Sequence, residues 1–281
     1  MRVASIQSLL QEADLPALPE IYARLTVATA QADSSATAIS TLIQGDSELT
    51  EHLLKLANSA LFNFPQRVET IADAVHLIGA PHISDLALGV IVVGMLDRVN
   101  SDLVSIKSFW RHNIACGIAA RVIGVQQQAQ SIERFFVAGL LHDIGSLMLY
   151  PYLNESALMA LLRDRDKHVP LYRLERDVLG FNHADLGAAI LRQWAVPEAL
   201  QTAVAFHHAP DAAPHAAMLA AAVHVADIIA NAMELGSRGQ RRVPPLSPQA
   251  WQHIGLPVTA LPIIMTQVET QLESVVAALL D

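Results

Sequence analysis

Apolar residues recur along this chain at the three- and four-residue spacing typical of helices that bury one face. Ile71, Val75 and Ile78 follow this spacing before Gly79, a residue type that commonly ends helices. Alanine and leucine, both strong helix formers, are abundant. We find no alternating strand pattern bounded by Asn-Gly or Asp-Gly turns. The pattern therefore predicts an all-α protein.

Prolines, glycines and apolar spacing divide the chain into predicted helices. They cover approximately residues 19–30, 36–45, 49–56, 71–79, 81–96, 109–124, 131–149, 155–165, 171–179, 182–194, 197–206, 214–233 and 263–280. The polar stretch Asp97 to Ser101 is the best internal boundary. We expect a two-part helical bundle, residues 1–98 and 99–281, although the parts could behave as one unit from about 15 to 230.

Composition and charge exclude several classes of protein. The 281 residues are 52% hydrophobic and 16% charged, the reverse of a disordered chain. A net charge of −9 argues against nucleic-acid binding, which depends on basic residues. Cys116 is the single cysteine, so an internal disulfide and a cysteine-based zinc site are both excluded. One cysteine fits a reducing, cytoplasmic location.

The apolar stretches are too short or too interrupted to predict a membrane span. The longest uncharged one, Leu86 to Leu96, has eleven residues, whereas a span needs about 20. Ala216 to Met233 is longer but contains His224 and Asp227. The N-terminus lacks the features of a signal peptide. We expect a soluble cytoplasmic protein with no membrane or nucleic-acid partner.

The strongest chemical signal is an adjacent histidine and aspartate, His142 and Asp143, between Gly139 and Gly145. Burying an unpaired carboxylate costs several kcal/mol, so a metal, a basic side chain or backbone donors must compensate it. Imidazole and carboxylate together suit a divalent cation. A hydrogen-bonded His–Asp pair in the core is the simpler alternative.

Further histidines and one aspartate lie on other predicted helices or helix ends. With His142 and Asp143 they supply five imidazoles and two carboxylates, enough for two cations with one carboxylate bridging. The additional residues are His112, His183, His207, His208 and Asp227.

The order H…HD…H…HH…D resembles the HD superfamily of metal-dependent phosphohydrolases, and the wider set resembles the ligands of HD-GYP phosphodiesterases. Three N-terminal segments resemble the HDOD family of HD-related output domains: LPALPEIYARL from Leu15, LIQGDSELTEHLLKLANSALFN from Leu42, and IADAVHLIGAPHI from Ile71. This resemblance implies an all-helical fold with an HD-like C-terminal core and a bacterial role in signal transduction. Most HDOD members are thought to have lost the metal ligands.

When the ligand positions of the HD-GYP family are transferred one by one to this sequence, the resemblance implies that this chain retains the metal-ligand set. It implies two divalent cations, with Fe, Mn, Zn and Ni equally suitable, and Asp143 as the bridging and candidate catalytic residue. The residues that match ligand positions are His112, His142, Asp143, His183, His207, His208 and Asp227.

The chain departs from the catalytic pattern in three places. Ser146 stands where HD-GYP enzymes carry a lysine expected to hold phosphate, and HHAPDAAPHAAM replaces the Gly-Tyr-Pro loop. The glutamate ligand of some members falls at Ser108. Arg111 is a weak substitute phosphate contact because it points about 100° away from His112 on a helix.

Three hypotheses therefore stay open. The chain is an HDOD signalling module with a retained metal centre, an active phosphohydrolase acting on a nucleotide or cyclic dinucleotide, or a metal-free interaction scaffold. The resemblance implies a kinase, response regulator or second-messenger enzyme as partner, or a phosphorylated small-molecule ligand. We expect a separate partner protein, because only fourteen residues precede the match. The basic segment Gly236 to Pro248 is a docking loop or a solvated connector.

Overall fold

The computed structural model describes residues 5–13, 15–30, 36–97, 105–153, 155–164, 169–236 and 243–281. These residues form helices and connecting turns, and no strand occurs among them. The predicted all-α fold is confirmed.

Among the described residues, six α-helices precede residue 98. They are α1 (Ile6–Glu12), α2 (Glu20–Ala30), α3 (Ala36–Gln44), α4 (Ser47–Ala57), α5 (Ile71–Ile78) and α6 (Ala80–Leu96). Helix α5 begins with a capping box, in which the side chains of Thr70 and Asp73 each bond to the other's backbone N–H, and it ends at Gly79 (φ 98°). Helix α1 was not predicted.

In the part of the chain described after residue 104 there are ten α-helices. They are α7 (Ile106–Gln126), α8 (Ile132–Leu141), α9 (Ile144–Leu149), α10 (Glu155–Asp164), α11 (Leu171–Leu179), α12 (His183–Gln193), α13 (Glu198–Phe206), α14 (Ala217–Ala232), α15 (Pro248–Ile254) and α16 (Ala260–Leu280). The single helix predicted over 131–149 is wrong, because the chain breaks at His142 and Asp143 between α8 and α9. Helix α15 was not predicted.

Helix α7 lies at the centre of the second part, packed against α8, α14 and α16. Its backbone meets α8 directly: a Cβ on Gly117 would lie 2.8 Å from Phe136 O, and one on Gly139 would lie 2.7 Å from Cys116 O. Only glycines permit this approach. It brings the end of α8, where His142 follows, beside α7.

Helix α16 connects the two predicted parts. It packs against α7 and also against α4 and α6. The His52 ring bonds to Ala278 O, and Ser274 Oγ accepts from Ala60 N–H. The predicted boundary at residues 98 and 99 lies outside the described residues, so the division into two parts stays a prediction.

By length and composition alone, α16 could cross a membrane. Helices α5 and α6 pass the same test together, but they meet at an angle of 118°. Of the most apolar window of α16, 44% is buried within the protein. Core helices of soluble proteins have the same apolar character.

Candidate metal centre

The break between α8 and α9 places His142 and Asp143 in the protein interior, with no exposed surface on either. His142 Nδ1 lies 2.7 Å from Gly139 O in the last turn of α8. Because a carbonyl only accepts, Nδ1 carries a proton, and Nε2 is the nitrogen that can present a lone pair to a cation. The local fold thus fixes the tautomer that a metal ligand needs.

His207, at the end of α13, is held by the same kind of hydrogen bond. Its Nδ1 lies 2.7 Å from Val204 O, three residues earlier, so its Nε2 is also the unprotonated nitrogen. His183, the first residue of α12, has its Nδ1 at 2.5 Å from the carboxylate of Glu175. Three imidazoles are therefore held with Nε2 toward Asp143.

One side of the cluster combines residues of α7, α14 and the α8–α9 break. His112 Nε2 lies 3.1 Å from Asp227 Oδ1, and His142 Nε2 lies 3.7 Å from the same oxygen. Asp143 Oδ2 is 3.1 Å from His142 Nε2 and 4.0 Å from His112 Nε2. His112, His142 and Asp227 bring their ligand atoms together, and Asp143 Oδ2 lies beside them.

The other side combines residues of α12 and the end of α13 around the second oxygen of Asp143. Asp143 Oδ1 is 3.3 Å from His183 Nε2 and 3.7 Å from His207 Nε2. His183 Nε2 is in turn 2.9 Å from His208 Nε2. All seven residues singled out in the sequence thus lie in one cluster, with Asp143 between its two halves.

A close backbone approach between α9 and α12 positions the second half. A Cβ on Gly145 would lie 2.0 Å from His183 O and 2.6 Å from Gly187 N. Only glycine at residue 145 allows α12 to bring His183 this near Asp143.

The cluster concentrates negative charge in a buried setting. Asp143, Asp227 and Glu175 are at most 2% exposed, and no lysine or arginine is buried among the described residues. Burial disfavours protonation of His142, but the Asp143 carboxylate outweighs it and raises the pKa of His142 well above its ordinary value. A positive charge, whether a proton or a cation, is favoured here.

Only His208 among the seven has more than marginal exposure. The Tyr172 ring stacks on it with centroids 4.1 Å apart and an interplanar angle of 14°. The guanidinium of Arg173 lies 5.7 Å from the centroid of that tyrosine ring. Within the described structure, solvent therefore meets the cluster on the His208 side.

Glu175 is a residue that sequence reasoning missed. It is fully buried, and its carboxylate accepts from His183 N–H at 2.9 Å and from Tyr150 O–H at 2.7 Å. Burial raises the pKa of Glu175, but these bonds and His183 outweigh burial and leave it below its usual value. One signal existed: helical spacing sets Glu175 on the apolar face of Leu171 and Val178.

Two other residues of α14, His224 and Asn231, support the cluster. His224 Nδ1 donates to His207 O at 2.8 Å, and His224 Nε2 accepts from Ser247 N–H at 3.0 Å. Asn231 Nδ2 donates to Asp227 Oδ1 at 2.7 Å. His224 thus supports the backbone of a candidate ligand.

In the described structure, neither Ser146 nor Arg111 brings a free positive charge to the cluster. Ser146 Oγ is buried and makes no hydrogen bond in the described structure. Arg111 pairs through both terminal nitrogens with Glu273 on α16. Of the basic segment, Gly236 packs on the backbone of His112, while residues 237–242 lie outside the described residues.

Comparison with known proteins places this architecture in a family. Residues 15–210 match the HDOD domain. An HDOD domain protein of unknown function from Geobacter sulfurreducens has the same fold, with a TM-score of 0.75, 21% identity and 98% of each chain covered. A candidate phosphohydrolase from Shewanella amazonensis also has a TM-score of 0.75, with 25% identity over 99% of this chain and 98% of its own.

A curated relative extends beyond the matched region. An uncharacterized protein of Treponema pallidum is 27% identical over 196 residues, 69% of this chain. The match spans only 38% of that protein's length. The family match over residues 15–210, together with a fold shared over nearly the whole chain, shows that this protein belongs to the HDOD domain family.

Proposed function

We propose that this protein is an HDOD regulatory protein that retains an HD-type centre for two divalent cations. The observation that supports it best is the position of Asp143, whose two oxygens face two separate sets of imidazoles. A carboxylate in this arrangement suits a bridging ligand.

The residues fit such cations by their chemistry. His112, His142 and Asp227 with Asp143 Oδ2 form one ligand set. The other ligand set is His183, His207 and His208 with Asp143 Oδ1. Nε2 of His142 is buried and makes no hydrogen bond in the described structure, as expected of a ligand atom. Mixed imidazole and carboxylate ligands suit Fe, Mn, Zn or Ni.

The positions of the seven candidate ligands in the fold indicate what the centre does. The seven side chains come from α7, the α8–α9 break, α12, the end of α13 and α14, so ligation ties five segments together. Bound cations supply the positive charge that the buried carboxylates of Asp143, Asp227 and Glu175 lack. The occupied centre is then the more rigid form, which a partner protein can distinguish from the empty one.

Regulation rather than turnover is supported by how closed the site is. His208 alone meets solvent appreciably, Ser146 replaces the phosphate-holding lysine, and Arg111 is held by Glu273. By family resemblance, the partner is a kinase, a response regulator or a second-messenger enzyme, and a phosphorylated small molecule is the alternative ligand.

A second candidate function is phosphoester hydrolysis, favoured by the complete ligand set and by the similarity to the Shewanella amazonensis protein. Divalent cations in such a centre supply Lewis acidity toward a phosphate group. Asp143 would orient both ligand sets, and a substrate would approach beside His208 and Tyr172.

Metal content tests the proposed centre. The protein is purified without a polyhistidine tag, reconstituted with Fe, Mn, Zn or Ni, and analysed by elemental mass spectrometry. We expect two ions per chain, loss of both in Asp143→Asn, and no change in the exposed-histidine control His253→Gln. Less than about 0.2 equivalents with every metal would overturn the proposal.

Turnover assays on the loaded protein separate the two functions. Cyclic dinucleotides and generic phosphodiesters are supplied as substrates. Hydrolysis that disappears in Asp143→Ala supports the enzyme, whereas bound metal with no hydrolysis of any substrate supports the regulatory function.

A further inference from the structure

Glu175 carries a buried charge that the proposed ligand set does not use. It lies on α11, a helix that contributes none of the seven candidate ligands, and it has no exposed surface. Desolvating a carboxylate is costly, and no buried lysine or arginine in the described structure compensates it. Its partners are instead a tyrosine hydroxyl and a candidate metal ligand.

The hydrogen bonds of Glu175 assign a role to each of its oxygens. Oε1 accepts from Tyr150 O–H at 2.7 Å. Oε2 accepts from the backbone N–H of His183 at 2.9 Å and faces Nδ1 of the same residue at 2.5 Å. The pKa of Glu175 lies below its usual value, and an ionised carboxylate only accepts, so Nδ1 carries the imidazole proton.

This tautomer has a consequence at the other ring nitrogen. With the proton on Nδ1, His183 Nε2 presents its lone pair toward Asp143 Oδ1 and His208 Nε2, at 3.3 and 2.9 Å. The opposite tautomer would place a proton in the centre of the second ligand set. The bond from Nδ1 to Oε2 also restrains the rotation of the ring.

We propose that Glu175 is a positioning residue, which orients His183 and raises the affinity of its ligand set for a cation. The inference rests on the proposed two-cation centre and adds the residue that prepares one half of it. Hydrogen-bond partners of metal-ligating histidines typically contribute about 10- to 100-fold in metal affinity. Tyr150 holds the carboxylate from the opposite side and completes the chain from Tyr150 through Glu175 to His183.

A metal titration tests the positioning role. Chelator-treated full-length protein is titrated with Zn²⁺ against a chromophoric competitor, which resolves the two dissociation constants. In Glu175→Gln, which keeps the shape of the side chain but removes its charge, we expect one of the two affinities to fall at least about 10-fold. The control Asp177→Asn makes the same charge change at an exposed position of α11 and should bind as the wild type does.

Two outcomes of the titration overturn the inference. One is a pair of dissociation constants in Glu175→Gln within about twofold of the wild type, against the tenfold expected. The other is an equal loss in Asp177→Asn, because the effect would then come from the charge of α11 and not from His183. If the wild type binds no metal at all, the proposed centre itself fails.

A second measurement needs no metal. Long-range ¹H–¹⁵N spectra of the chelator-treated wild type report which nitrogen of His183 is protonated, with the signal identified by its absence in His183→Gln. A proton on Nδ1 supports the inference, and a proton on Nε2 overturns it. This readout stands even where the metal titration finds no binding, so the two failures are distinguishable.

Discussion

Replacing Gly145 with alanine perturbs the close approach of α9 and α12 that brings His183 to Asp143. The new Cβ would lie 2.0 Å from His183 O and 2.6 Å from Gly187 N, whereas side-chain carbons essentially never come within 3.0 Å of such atoms. Helix α12 must therefore recede by at least about 1 Å. Both neighbours are backbone atoms, so no side-chain rotation relieves the clash.

The size of the effect follows from this displacement. Overpacking a well-packed interior costs about 1–3 kcal/mol of unfolding free energy. A helical glycine replaced by alanine regains at most about 1 kcal/mol, and because both clashing atoms are backbone we expect a net loss of about 1–2 kcal/mol. The separation of His183 Nε2 and Asp143 Oδ1, now 3.3 Å, widens as α12 moves. We expect Gly145→Ala to bind the second cation more weakly as well.

Urea unfolding of chelator-treated protein measures the structural loss, and elemental analysis measures the metal. The control is Gly94→Ala on α6, where a Cβ would meet only Glu48 Oε1 at 4.0 Å. That change should stabilise the protein by up to about 1 kcal/mol, because alanine is the better helix former. If Gly145→Ala unfolds at the same urea concentration as the wild type, the packing explanation of the α9–α12 approach is refuted.

Three further predictions concern stability. Burial lowers the pKa of His224 below 6.5, so the unfolded chain binds more protons and stability falls as pH drops through about 6.5. His224→Asn removes that contribution. Measured by urea unfolding, the deficit in unfolding free energy of the variant relative to the wild type should be smaller at about pH 5.5 than at about pH 7.5. An equal deficit at both pH values would contradict this. Arg111→Ala should cost less than about 1 kcal/mol and leave metal binding unchanged, because the Glu273 side chain is 72% exposed; weakened metal binding would restore Arg111 as a site residue. Chelation of the loaded protein should lower the melting temperature by at least about 5 °C, because ligand at 100 times its Kd adds about 2.7 kcal/mol; an unchanged melting curve by calorimetry would argue against a structural role for the cations.

Local signals in the sequence account for most of the helices. Gly79 and the Thr70–Asp73 capping box are contiguous with the helix they delimit, so spacing and composition suffice to place α5. The continuous helix predicted over 131–149 is interrupted where one local and one non-local contact meet. The His142 imidazole bonds to Gly139 O three residues earlier, and Gly145 packs against the distant helix α12. Neither is visible in the apolar periodicity.

The candidate site was predictable to the extent that its residue types are unusual in buried helices. His112 and Asp227 stand out in apolar stretches, and the structure brings them within 3.1 Å, while their role as metal ligands stays a prediction. Glu175 and Asn231 did not stand out, because their partners are set by tertiary contacts. A carboxylate on an amphipathic helix is ordinary until its neighbours are known.

The separation of the cluster's members along the chain has a consequence for how the protein folds. His112 and Asp227 are 115 residues apart in sequence, and His142 meets Asp227 only after α14 has docked. Contacts between distant residues form late, because the entropy of closing a long loop must be overcome first. Intermediates that have formed α7 and α8 but not docked α14 therefore lack the complete cluster. A cation present during refolding should slow unfolding of the finished protein far more than it accelerates the first collapse.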